Sequence, residues 1–94
     1  MTEPHEARLK RLRMRSWRRG IKEMDLILGH YSDARLDQMT SVELDLYDAM
    51  LSENDHDLYQ WVSGQQPTPL QYLDLITGIS AFTAEMQGTK TEPS

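Results

Sequence analysis

The sequence predicts an all-α protein, a small bundle of four to five short helices. Apolar residues recur at steps of three and four along most of the chain, and stretches that alternate apolar and polar residues are absent. Glycine is sparse, five in 94 residues, and the prolines sit near the ends and in one linker, so helical segments run with few interruptions. The apolar fraction of 38% suits a globular chain, and the length suits one domain. Residues 5–86 read as that domain, with 1–4 and 87–94 as flexible tails.

Residues 5–18 predict a basic first helix. Gly20 costs about 1 kcal/mol inside a helix relative to alanine, so the chain kinks or breaks there. A second helix follows, from about Gly20 to Tyr31. Met14, Trp17, Ile21, Met24, Leu28 and Tyr31 fall at steps of three and four, and predict one apolar stripe across both segments. Arg8, Arg11, Arg15, Arg18 and Lys22 keep the same steps on an adjacent face. Ser32–Met39 reads as a connector.

Thr40-Ser-Val-Glu43 has the form of a capping box, with Met39 and Leu44 placed as a hydrophobic staple. It opens a third helix, about 41–52, with Leu44, Tyr47, Met50 and Leu51 inward. Asn54 is placed to cap a fourth helix, about 55–63, where Asp55 and Asp57 suit the positive N-terminal end. Leu58, Trp61 and Val62 are its expected core residues and Gly64 its stop. After a linker at Gln65-Gln-Pro67, Thr68 reads as an N-cap, with Pro69 in the first helical position. Tyr72, Leu75, Ile79, Phe82 and Met86 then form the stripe of a last helix, about 69–86.

Several function classes fall away. There is no cysteine, hence no disulfide framework, thiol catalysis or cysteine-held metal. No apolar run approaches the roughly 18 residues of a membrane span. The N-terminal residues lack the apolar core of a secretion signal. His5, His30 and His56 lie in separate segments without metal-ligand spacing, and no phosphate-binding glycine loop or nucleophile elbow is present. No catalytic, metal or cofactor-binding residue is assigned. Asp45, Asp48, Glu53, Asp55 and Asp57 read as a solvated acidic face.

The net charge of −5 divides sharply: residues 1–22 carry +6 and residues 23–94 carry −11. The basic helix therefore admits several readings. It lies against the chain's own acidic half, grips phosphates of a nucleic acid, touches a membrane surface, or meets an acidic or carbonyl-rich protein. A pI near 5.0 and the lack of a helix-turn-helix pattern count against nucleic acid.

The segment Arg18-Arg19-Gly20-Ile21-Lys22-Glu23-Met24-Asp25 stands apart. On a helix, Arg19 and Glu23 would share a face beside Gly20. That makes a patch with polar edges and bare backbone at its centre, where another chain can approach closely. A helix kink with an ordinary surface ion pair accounts for the same residues.

Arg19-Gly20-Ile21-Lys22-Glu23 resembles the RGxxE signature of the SdhE family, the FAD assembly factors of succinate dehydrogenase. The surroundings Arg15 to Leu26 and Leu28-Gly29 resemble the first two helices of that family, and Met39-Thr40 with Leu44 to Asp48 resembles the third. Asp55 to Trp61 resembles its acidic, tryptophan-bearing segment, and Pro67-x-Pro69 the linker before the last helix. The resemblance covers about residues 8–80.

It implies a bundle of about five helices and a chaperone rather than an enzyme. The partner would be the flavoprotein subunit of succinate dehydrogenase and, in some bacteria, that of fumarate reductase. FAD would become covalently attached to a histidine of that client, with none held stably here. Arg19, Gly20 and Glu23 would be contact residues, joined by Trp17, Arg18, Lys22 and Asp25. A nucleic-acid-binding or regulatory module using the basic helix is the alternative. Glu3 and Glu6, unlike an acid-poor transit peptide, favour the bacterial cytoplasm over a mitochondrial matrix.

Overall fold

The computed structural model describes residues 4–91, with side chains described through Met86. Within them the chain forms five α-helices and no strand. These are α1 (His5–Trp17), α2 (Lys22–Arg35), α3 (Ser41–Leu51), α4 (Asp55–Ser63) and α5 (Leu73–Thr91). Two single 3-10 turns, Leu36–Gln38 and Leu70–Tyr72, precede α3 and α5.

The caps explain the middle of the chain. Thr40 accepts from the Glu43 amide, and Glu43 answers at the Thr40 amide, closing the expected capping box. Asn54 accepts from the His56 amide at 2.8 Å and starts α4. Gly64 ends α4 at φ +82°, a left-handed conformation that glycine adopts without a Cβ clash.

One core unites the helices: Leu9 and Leu12 of α1, Met24, Leu28 and Tyr31 of α2, Leu44, Tyr47, Met50 and Leu51 of α3, Leu58 and Val62 of α4, and Ile76 and Ile79 of α5. Leu36 and Tyr72 enter it from the 3-10 turns. Ser16 and Tyr47 bring polar atoms inside, and their hydroxyls meet at 2.6 Å. Ser16 also donates to the Leu12 carbonyl, so no lone hydroxyl is stranded between α1 and α3.

Four expectations change. The stripe does not continue through the α1–α2 break: α1 buries Leu9, Leu12 and Ser16, while Met14 is 47% exposed and Trp17 half-buried. The four residues between the helices reset the phase, so spacing counted across them carries no face. Helix α2 continues to Arg35, because Ser32 is buried with its hydroxyl on the Gly29 carbonyl and Leu36 is drawn wholly inside. Thr68-Pro69 does not open an α-helix: Pro69 is extended, and the 3-10 turn after it swings Tyr72 inward before α5 begins. Helix α5 also passes the expected end at 86 and runs to Thr91, while residues 1–3 and 92–94 lie outside the described residues.

Candidate functional site

The loop between α1 and α2 is held by charge. Helix α1 ends at Trp17, Arg18 leaves helical geometry at φ −123° and ψ 56°, and Ile21 is extended. Arg19 therefore stands off any helix, and the expected Arg19–Glu23 pair on one helical face does not form. The Arg19 guanidinium turns inward, 10% exposed. Its Nε donates to Asp55 Oδ1 at 2.6 Å, Nη1 to the Leu51 carbonyl at 2.6 Å, and Nη2 to the Glu53 carbonyl at 3.0 Å. These two carbonyls lie at the end of α3, where the helix dipole favours a cation. An arginine buried this far needs such partners, which an exposed glutamate on α2 does not supply.

The backbone of the loop is tethered twice more. Gly20 N–H donates to Asp55 Oδ2 at 2.7 Å, and Arg19 N–H donates to the Asp25 carboxylate. Gly20 itself is exposed, and a Cβ built there would meet only Asp55 Oδ2, at 3.3 Å. Arg18, Lys22 and Glu23 are exposed around it, while Arg19, Asp25 and Trp17 are half-buried.

Trp17 lies flat on α2 over Gly29, edge-on to His30 at 5.2 Å between centroids. Beside the loop, Arg11, Met14, Arg15, Arg18 and Arg19 line an open depression of about 370 Å³. The seven expected contact residues lie within one stretch, residues 17–25, around the α1–α2 loop, four of them exposed and three partly buried. Asp55 was not among them: its place in the first turn of α4 already gave it a role as a helix-terminal charge, which hid its reach to Gly20.

The basic helix is spent largely on the chain's own carboxylates. Arg8 pairs with Asp45, Arg11 and Arg15 converge on Asp48, and Arg13 pairs with Asp37 at 2.7 Å. The expected solvated acidic face holds only in part: Asp57 is exposed and Asp45, though paired, stays 71% exposed, whereas Asp48 and Asp55 are partly buried arginine partners and Glu53 accepts from the Tyr72 hydroxyl at 3.0 Å. Burial pushes the Asp48 carboxyl up, but the bonds and charges of Arg11 and Arg15 outweigh it and hold the group below its ordinary value.

Among the described residues no cluster of His, Asp and Glu has the grouping of a metal site, and no helix is long and apolar enough to cross a membrane.

A family model described as "Flavinator of succinate dehydrogenase" matches residues 10–83. Succinate dehydrogenase assembly factor 2, mitochondrial, of Candida glabrata is 41% identical over 68 residues, which are 72% of this chain and 44% of that protein. Its counterpart in Drosophila grimshawi is 38% identical over 72 residues, 74% of this chain and 49% of that protein. Assembly factor 2-A of Drosophila sechellia is 34% identical over 79 residues, 82% and 48%. The chain spans about half the length of the curated relatives it matches. The matched sequences define its class, the assembly factors, which are not enzymes. Within that class the chain belongs to the flavinator of succinate dehydrogenase family, as its Arg-Gly-x-x-Glu segment indicated.

Proposed function

We propose that this chain binds the flavoprotein subunit of succinate dehydrogenase and promotes covalent attachment of FAD to it, and that it serves fumarate reductase's flavoprotein in the same way where that enzyme is present. The observation that carries the reading is the Gly20 loop: bare, exposed backbone fixed in shape by its neighbours and ringed by Arg18, Lys22 and Glu23. Such a surface admits close approach of another main chain and loses little conformational freedom on binding.

Arg18, Gly20, Lys22 and Glu23 make the direct contacts. Arg19, Asp25 and the exposed edge of Trp17 complete the surface. The bond-forming chemistry is the client's own; the factor selects and holds the client conformation in which flavin and histidine are aligned. FAD is not stably bound by the factor. The bacterial cytoplasm, or the mitochondrial matrix in a eukaryote, is where it would meet its client.

The test is flavinylation of the purified apo flavoprotein subunit, read by in-gel flavin fluorescence with no factor, wild type, or Gly20→Arg. Position 20 needs only a few tenths of an ångström from Asp55 to accept a Cβ, so the variant is expected to fold, as circular dichroism would verify. Stimulation by wild type with a folded, inert Gly20→Arg is the expected result. Equal flavinylation in all three overturns the reading.

A further inference from the structure

We propose that Asp55 is the positioning residue of the client-facing loop and acts through Arg19 and Gly20, an inference that rests on the client-binding reading above. Its carboxylate spans two neighbouring donors. One oxygen takes Arg19 Nε at 2.6 Å and the other takes Gly20 N–H at 2.7 Å. Both oxygens face donors, so a carboxylate serves the site and an amide does not: its NH2 would be turned onto one of them.

The remaining bonds give this bridge its leverage. Arg19 Nη1 and Nη2 are fixed on the Leu51 and Glu53 carbonyls, so the guanidinium is a rigid post at the end of α3. Asp55 carries that rigidity from the post to the backbone of Gly20, which has no side chain to anchor itself. The other tether, Asp25 to the Arg19 amide, lies within the first turn of α2 and sets only how the loop enters that helix. Asp55 alone of these groups ties the loop to α4, 35 residues away in sequence. Charge-assisted bonds at 17% exposure of the carboxylate hold more firmly than solvated ones.

The experiment compares wild type, Asp55→Asn and Asp57→Asn. Asp57 is an exposed carboxylate in the same first turn, so its variant removes an equal charge from the same helix end. Two readouts are taken: hydrogen exchange of the Gly20 amide by NMR, and flavinylation of the apo flavoprotein subunit across a series of factor concentrations. In Asp55→Asn the Gly20 amide is expected to exchange about tenfold faster. The half-saturating factor concentration should rise by a similar factor, with the plateau rate retained. Core amides such as Leu28 and Met50 stay protected, and Asp57→Asn matches wild type.

A purely structural role would lower the melting temperature and expose core amides together, without singling out Gly20. A freed Gly20 amide with an unchanged concentration curve overturns the proposal, and so does a shifted curve with Gly20 still protected. Equal effects in Asp57→Asn overturn it too, in favour of general helix-end charge. If Asp55→Asn fails to fold, Asp55→Glu, which keeps the charge on a stem one methylene longer, is read by the same two criteria. If wild type itself does not stimulate flavinylation, the client reading fails and takes the client part of this inference with it, whatever Gly20 exchange shows.

Discussion

Trp17 rests on α2 only because position 29 has no side chain. A Cβ at Gly29 would stand 2.3 Å from Trp17 Cδ2, and neither a helix backbone nor an indole ring can yield that much. Gly29→Ala is therefore expected to lift the indole off α2, redden its emission and destabilise the fold by about 1–3 kcal/mol. Denaturant unfolding followed by fluorescence, in a background where Trp61 is Phe, checks this; an unchanged midpoint and emission would refute it. The contact was only half legible in the sequence. Gly29 stood out as a motif residue, but the ring it accommodates lies twelve positions earlier, and no local pattern joins the two. The same holds for Arg19: a pair with Glu23 was the local expectation, but the acceptors at 51, 53 and 55 give its guanidinium three partly buried hydrogen bonds, whereas Glu23 is exposed.

At the scale of elements, α1 is the helix most dependent on charge. It buries only Leu9, Leu12 and Ser16, and its arginines reach across to Asp45 and Asp48 of α3 and to Asp37. The folded-state value of Asp48 is depressed relative to its ordinary 3.8, so its stabilisation is present above that value. It is lost as pH falls through the lowered folded value. Asp48→Asn is expected to flatten this acid limb and to weaken the fold at neutral pH by about 1 kcal/mol, less in high salt. Urea midpoints across an acid pH series, with and without the substitution, measure it; parallel limbs would show that Asp48 is not the group responsible. Helices α3 and α4 were legible almost to the residue, because Thr40, Glu43, Asn54 and Gly64 are caps whose chemistry is local. The ends of α2 and α5 were not, because Ser32, Leu36 and Tyr72 are set by what they pack against.

Over the whole molecule, the two oppositely charged parts of the sequence fold onto one another, and the polar core residues set the alkaline limit. Burial raises Tyr31, Tyr47 and Tyr72 above the ordinary tyrosine value of 10.0, and at Tyr72 the Glu53 carboxylate adds to it. A raised folded-state value means stability that is complete below the unfolded value and lost as pH climbs through the folded one. In a Tyr59→Phe background, which leaves only these three tyrosines, helical circular dichroism and tyrosinate absorbance are therefore expected to change together, in one cooperative step above pH 10.0. Absorbance that rises smoothly while the helices persist would contradict the buried setting of these hydroxyls. Fold class and helix order could be read from the sequence because periodicity and caps are dense in a chain this short. The mutual neutralisation of its two parts could not, since composition gives the charges and only packing gives the pairs.

The bridge from Arg19 to Asp55 also has a consequence in time. During synthesis the Arg-Gly segment leaves the ribosome well before α4 exists, and it has neither Asp55 nor the Leu51 and Glu53 carbonyls to fold against. A nascent chain that stops short of residue 55 carries the motif as letters but not as a surface. The loop thus reports on the arrival of its partners: its shape appears only when the end of α3 and the start of α4 are both in place.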